Sequence, residues 1–293
     1  MNRDTFNTYH PILNILFFAA VVLATVFLLN PVVLLLSYTS AFAYSVLLRG
    51  RRAIIFNILY MMPLMVLAAG INVLFVHEGA TVLGYFQNGN PITLESMVYG
   101  LLSAMMIGTV IIWFSCYNEI MSSDKVTYLF GRILPKTSLV FSMILRLVPM
   151  YKAQAAVISR AQRGIGRDFR YGSLLERARN GLKILSIMVT WALENGIDTS
   201  DSMKARGYGL KGRTSFSIFR FDGRDKVLAV VMGALAVLLV YGLFRGFFYF
   251  RVYPTVRWAG LSASSIPFYL SMGVVFLLPV ILRVMEDMRW KHM

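Results

Sequence analysis

The stretch "AIIFNILYMMPLMVLAAGINVLFV", residues 53–76, carries no Lys, Arg, His, Asp or Glu from end to end. It exceeds the roughly 20 apolar residues that a helix needs to cross the hydrocarbon core of a bilayer. Lipid offers no partner to backbone N–H and C=O groups, so such a run has to satisfy them internally, as a helix. Working outward, five more runs qualify by length: Ile12 to Leu29, Pro31 to Leu48, Ile92 to Tyr117, Val227 to Phe250 and Ile266 to Met285. Only Asn30 and Pro31 separate the first two, which read as a tight helical hairpin.

The bulk numbers agree with this reading. Of 293 residues, 57% are hydrophobic and 15% charged, far from an ordinary soluble domain. The fold class is all-α: a polytopic helical membrane protein with about six transmembrane helices and an insert of long amphipathic helices. Residues 1–118 hold the first four helices, 119–226 form the insert, and 227–293 hold the last two. The first run is not a cleavable signal peptide, because it lacks a basic leading cluster and a small-residue cleavage site and leads straight into another span.

The net charge is +15, and its placement predicts orientation. Arg3 precedes the first span, Arg49, Arg51 and Arg52 follow the second, and Arg283, Arg289 and Lys291 close the chain. The segment from His77 to Pro91 has no Lys or Arg. Both termini and the basic insert are therefore predicted cytoplasmic, against the minority vote of Arg251 and Arg257 in an outer loop. Cys116 is the only cysteine, which excludes a disulfide or a Cys-rich metal site and reads as packing.

The insert is too long for a connector, and its pattern argues for order. "LVFSMILRLVPMY", residues 139–151, is apolar except for Ser142 and Arg146 and too short to span. It reads as an interfacial or buried helix whose Arg146 snorkels along its stem and which Pro149 kinks or resets. "KAQAAVISRAQRG" continues in helix formers and stops at Gly164. After the loop "IGRDFRYG", Ser173 and Glu176 form the S-x-x-E pattern of a capping box. Leu175, Leu182, Leu185, Met188, Val189 and Ala192 then recur as a helical stripe. A helix unbroken to Arg206 would be roughly 50 Å long. Both helices end in the same chemistry, Arg163-Gly164 and Arg206-Gly207.

The second of these ends, "DSMKARGYGLKG" at residues 201–212, admits three readings. Gly207, Gly209 and Gly212 fit G-x-G-x-x-G, but that fingerprint works after a strand and at the start of a helix, and here a helix precedes it. Gly207 to Thr214 fits a phosphate loop only with Arg213 in place of Lys. A helix C-terminus explains Lys204, Arg206 and Gly207 without any function, because Gly accepts the left-handed backbone and cations suit the negative end of the helix dipole. The pattern occurs twice, however, at two solvated basic tips, and Arg is suited to gripping a partner's carboxylates.

These residues resemble the transmembrane T component of energy-coupling factor (ECF) vitamin transporters, a family with a helical membrane domain and coupling helices ending in short Ala-Arg-Gly motifs. Ala205-Arg206-Gly207 matches the second motif outright. In "AQRGIGRD", Ala161, Gln162, Gly166 and Asp168 stand in family-like places, but Ile165 occupies the slot usually held by Arg, with Arg163 as its substitute two residues earlier. The resemblance implies a coupling subunit of a prokaryotic plasma-membrane importer for a vitamin or micronutrient. Its ATPase-docking residues would be Ala205, Arg206, Gly207, Arg163 and Gly164. A substrate-binding membrane subunit, the S component, would be met by Leu139, Phe141, Ile144, Leu147 and Met150. The partners implied are two ATPase subunits, the S component and the bilayer, with no nucleic acid. ATP and Mg would be bound by the ATPases and no cofactor by this chain, which is then not an enzyme by itself.

Three other classes compete. A secondary transporter places ionisable groups within its spans, whereas Glu78 and Glu95 lie near the outer boundary and no Asp or Glu falls mid-membrane. A membrane anchor would use the basic loop to bind anionic lipid. An intramembrane enzyme has little to work with, since His10, His77 and His292 are scattered at boundaries and the tail.

Overall fold

A computed structural model describes residues 5–85, 89–133, 135–168, 170–208, 219–258, 260 and 262–291, with the side chains of 131–139 and 290–291 outside that description. The chain divides into two compact units, 1–122 with 219–293 and 123–218.

The first unit is helical: α1 (Pro11–Phe27), α2 (Pro31–Arg49), α3 (Arg51–Ile55), a π-helical turn (Phe56–Met61), α4 (Met62–Phe75), α5 (Leu94–Ile120), α9 (Gly223–Phe244) and α10 (Ile266–Lys291). Among the described residues, five stretches are long and apolar enough to span a membrane: α2, the continuous Arg51–Phe75 helix, α5, α9 and Ile266–Arg289. The first apolar run forms a helix of only 17 residues, α1, at the lower limit for spanning. Pro11 and Pro31 stand at the first positions of their helices, where a missing N–H costs nothing. The turn between α1 and α2 is as tight as expected, with Asn30 capping α2 by accepting from the Val32 N–H at 3.0 Å.

Two antiparallel ribbons lie in loops: β1 (Val82–Tyr85) with β2 (Pro91–Thr93), and β3 (Phe250–Arg251) with β4 (Arg257–Trp258). They lie at the opposite end of the unit from the start of α1 and the end of α10. The near end is tied by Arg49 to Glu119 (3.0 Å), the Arg283 guanidinium to the Leu47 carbonyl (2.7 Å), and the His10 N–H to the buried Asp225 carboxylate (3.0 Å). At the far end the Asn30 amide donates to the Phe248 carbonyl (3.3 Å) and the Tyr269 hydroxyl (3.1 Å), and the Ala80 N–H to Pro254.

The core of this unit is aromatic. Phe6, Phe17, Phe18, Tyr44 and Trp113 are buried and meet largely edge to face, an arrangement favoured by the ring quadrupoles. Through it runs a hydrogen-bond relay with one consistent direction. The Thr25 hydroxyl donates to the Val21 carbonyl (2.8 Å), so at the 2.7 Å Thr25–Ser37 contact Ser37 is the donor, and Ser37 accepts from the Trp113 indole N–H (3.0 Å). Three helices are thus joined without an unsatisfied hydroxyl. Cys116 is buried in the same core.

The second unit contains α6 (Ser123–Ile133), α7 (Pro135–Gly164) and α8 (Leu174–Ala205). α6 adds a third helix to the pair expected from sequence. Its signal was present, since Val126, Leu129, Phe130 and Ile133 recur at helical spacing. α7 continues through Pro149 rather than being reset there, its strong helix formers resuming at once on the C-terminal side. α8 begins with the expected box: the Ser173 hydroxyl accepts from the Glu176 N–H (3.3 Å) and the Glu176 carboxylate from the Ser173 N–H (2.9 Å). α7 and α8 run back along each other, with Tyr151 edge-on to Trp191 (5.6 Å) and the Asn180 amide on the Asp168 carbonyl (3.3 Å).

Candidate functional site: the two helix tips

Both long helices of the second unit end in one backbone device. α8 closes at Ala205, Arg206 is its C-cap, and Gly207 turns left-handed at φ 79°. The Gly207 N–H returns to the Lys204 carbonyl and the Tyr208 N–H to the Met203 carbonyl, each at 3.0 Å. This pair of bonds is the Schellman closure, which satisfies carbonyls that the helix end would orphan. α7 closes identically around Gly166, at φ 77°: the Gly166 N–H bonds Arg163 (3.0 Å) and the Arg167 N–H bonds Gln162 (2.9 Å).

The match between the tips therefore differs from the one expected. Gly164 is the last helical residue of α7, and Gly166 is the counterpart of Gly207. Aligned by their closures, Gly164-Ile165-Gly166 lies on Ala205-Arg206-Gly207. Arg163 then corresponds to Lys204, two residues before the C-cap, and Ile165 takes the place of Arg206.

The loop after α7 explains where the turn falls. Arg163 Nε pairs with Asp168 Oδ2 at 3.0 Å, the other carboxylate oxygen accepts the Arg170 N–H at 3.0 Å, and Asn180 of α8 holds the Asp168 carbonyl. Asp168 is largely buried by these partners, with its side chain 13% exposed. The contribution of Asn180 has no signature in the sequence. Arg163 is consequently engaged within its own loop. The Arg206 residue is exposed and its guanidinium has no hydrogen-bond or ion-pair partner among the described residues, and its neighbour Lys204 already faces Asp201 at 3.4 Å.

The Gly207 stretch presents carbonyls, the negative end of the α8 dipole, and so has the wrong polarity for phosphate. Gly209, Gly212, Arg213 and Thr214, the rest of both nucleotide-loop patterns, lie outside the described residues, as does His292. Among the described residues no group of three or more His, Cys, Asp or Glu converges to hold a metal.

Of the apolar residues expected to meet a membrane partner, Phe141, Ile144 and Met150 are exposed on α7 and Leu147 is half-buried; the Leu139 side chain lies outside the described residues. α8 carries an exposed row of Leu182, Leu185, Val189, Leu193 and Ile197. Their spacing places them on one face, opposite the Trp191 side that meets α7.

No family model matches the chain. It is similar to the energy-coupling factor transporter transmembrane protein EcfT of Lactobacillus helveticus, 36% identical over 106 residues, covering 36% of this chain and 38% of that one. Longer matches are to EcfT 1 of Listeria monocytogenes, 26% identical over 68% of this chain and 74% of that protein, and to EcfT of Bacillus subtilis, 25% identical over 68% and 76% respectively.

Proposed function

The chain belongs to the family of energy-coupling factor transporter transmembrane proteins, EcfT, and from that premise we propose that its second unit couples partner ATPases to a substrate-binding membrane subunit. The observation that carries this reading is the pair of solvent-exposed, Schellman-closed tips, one bearing an unengaged Arg206. Asn180 holds the first tip, and the length of α8 from there to Arg206 is about 39 Å at 1.5 Å per residue. Tips so far apart engage two subunits rather than one pocket.

In this reading ATP and Mg sit in the partners, whose closure displaces the tips and with them the rigid helices. Phe141, Ile144, Leu147 and Met150 are the apolar residues of α7 on which the substrate-binding S component rests. The substrate, a vitamin or other micronutrient, is chosen by that subunit. The basic end of the first unit, with Arg49, Arg51, Arg52 and Arg283, supports a cytoplasmic location for both termini and for the insert.

The test is purification of the tagged chain from its own host with identification of what accompanies it. Two ATPase subunits and a small membrane protein are expected. Arg206→Ala should weaken ATPase binding by about 2 kcal/mol, the loss of a docking anchor, while membrane insertion is retained. A chain that purifies without ATPases, or whose complex and ATP-driven uptake ignore Arg206→Ala, would leave lipid anchoring as the better reading.

A further inference from the structure

We infer that the two tips dock through opposite chemistries: Ile165 is an apolar anchor for one ATPase subunit, and Arg206 a cationic anchor for the other. This rests on the docking role proposed above and assigns the first contact to a residue other than Arg163.

Three observations carry it. The shared closure puts Ile165 and Arg206 at one and the same position, the C-cap, each preceded by the last helical residue and followed by a left-handed glycine. A C-cap side chain at such a tip is presented by the backbone, so the residue in that slot meets whatever the tip meets. Ile165 is 63% exposed, a β-branched apolar side chain on a loop whose other residues are Gly, Arg, Asp, Phe and Tyr. Arg163, the other candidate, is held at 3.0 Å by Asp168, which is itself fixed by the Arg170 N–H and Asn180. Releasing Arg163 to reach a partner would leave the Asp168 carboxylate without its countercharge and loosen the loop that sets Gly166. Its role is to position the tip.

The partner chemistry follows. The socket for Ile165 is apolar and small, because one isoleucine fills it, and needs no carboxylate. The socket for Arg206 presents carboxylates or backbone carbonyls to a planar guanidinium. A subunit with one kind of socket serves the other tip poorly, so the tips select two different subunits, or two different faces of them, and fix which lies at which end of α8.

Native mass spectrometry of the complex purified from its host tests this. Unmodified chain should carry two ATPase subunits. Ile165→Asp should release the subunit at the first tip and keep the other, Arg206→Ala the reverse, and Ile165→Ala should weaken the first contact about tenfold, the effect of losing one buried aliphatic side chain. Ile165→Leu should restore it. Ile165 is exposed and makes no bond through its side chain, so helix content should be unchanged in all of these. If Ile165→Asp keeps both subunits at unchanged affinity while Arg206→Ala loses one, the apolar anchor is wrong although docking at the tips stands. If Arg163→Ala instead removes the first subunit and Ile165→Ala does not, Arg163 is the anchor. If the unmodified chain carries no ATPase, the docking reading itself fails, and this inference with it.

Discussion

Two glycines two residues apart, Gly164 and Gly166, decide how the first tip is read. Both look alike in "RGIGRD", yet only Gly166 has a positive φ, of 77°. An L-residue at that angle costs about 1–2 kcal/mol, whereas a helical glycine is itself less favourable than alanine by about 1 kcal/mol. A β-carbon would meet nothing within 4 Å at either site, so the backbone term stands alone. Gly166→Ala is therefore expected to loosen the tip by about 1 kcal/mol, and Gly164→Ala to tighten it by a similar amount, read as amide exchange over residues 161–168. Equal effects of the two substitutions would contradict the assigned closure. The Arg-Gly dipeptide and the place of Ile165 in the arginine slot were legible in the sequence, but not the engagement of Arg163, because Asp168 and Asn180 hold this loop through contacts that no local pattern announces.

At the scale of helices, α8 starts where its S-x-x-E box predicts. The backbone N–H and hydroxyl of Ser173 both favour the ionised Glu176 and hold its carboxyl below the usual range. The sign follows: a lowered folded-state value adds stability that is fully present above the ordinary glutamate range and disappears as pH falls through the lowered value. Protection of the amides of residues 174–177, measured against their intrinsic exchange rates at each pH, is expected to fall on acidification through that window and, in Glu176→Gln, to lose most of this pH dependence. α2 starts just as locally, but its cap reaches further. Asn30 also ties this turn to Phe248 and Tyr269, so Asn30→Ala removes a cap worth about 1 kcal/mol together with buried bonds of about 1 kcal/mol each. A loss of about 3 kcal/mol in resistance to denaturing detergent is expected, with Asn30→Asp restoring only the cap. Sequence showed the Asn-Pro turn, whereas its partners more than 200 residues away appear only in the fold.

For the whole molecule, the relay from Trp113 through Ser37 and Thr25 to the Val21 carbonyl shows how the membrane unit is made specific. In lipid, greasy helices gain little from burying more grease, so packing and interhelical hydrogen bonds choose the partners. Trp113→Phe keeps most of the ring contacts and removes one donor; a cost of about 1 kcal/mol is expected, and detergent unfolding that shows no change would demote the relay to decoration. The class of the protein was set by the sequence alone. A charge-free run such as 53–76 has one solution in a bilayer, and the number of such runs, the basic insert and the capping box are all properties of residues close in the chain. Only the tertiary structure decided which glycine turns the first tip and that Arg163 is spent on Asp168. The physical reason is that helix formation is a local balance of backbone and lipid, whereas the closing residue of a helix and the freedom of a side chain beyond it depend on groups brought in from elsewhere by folding.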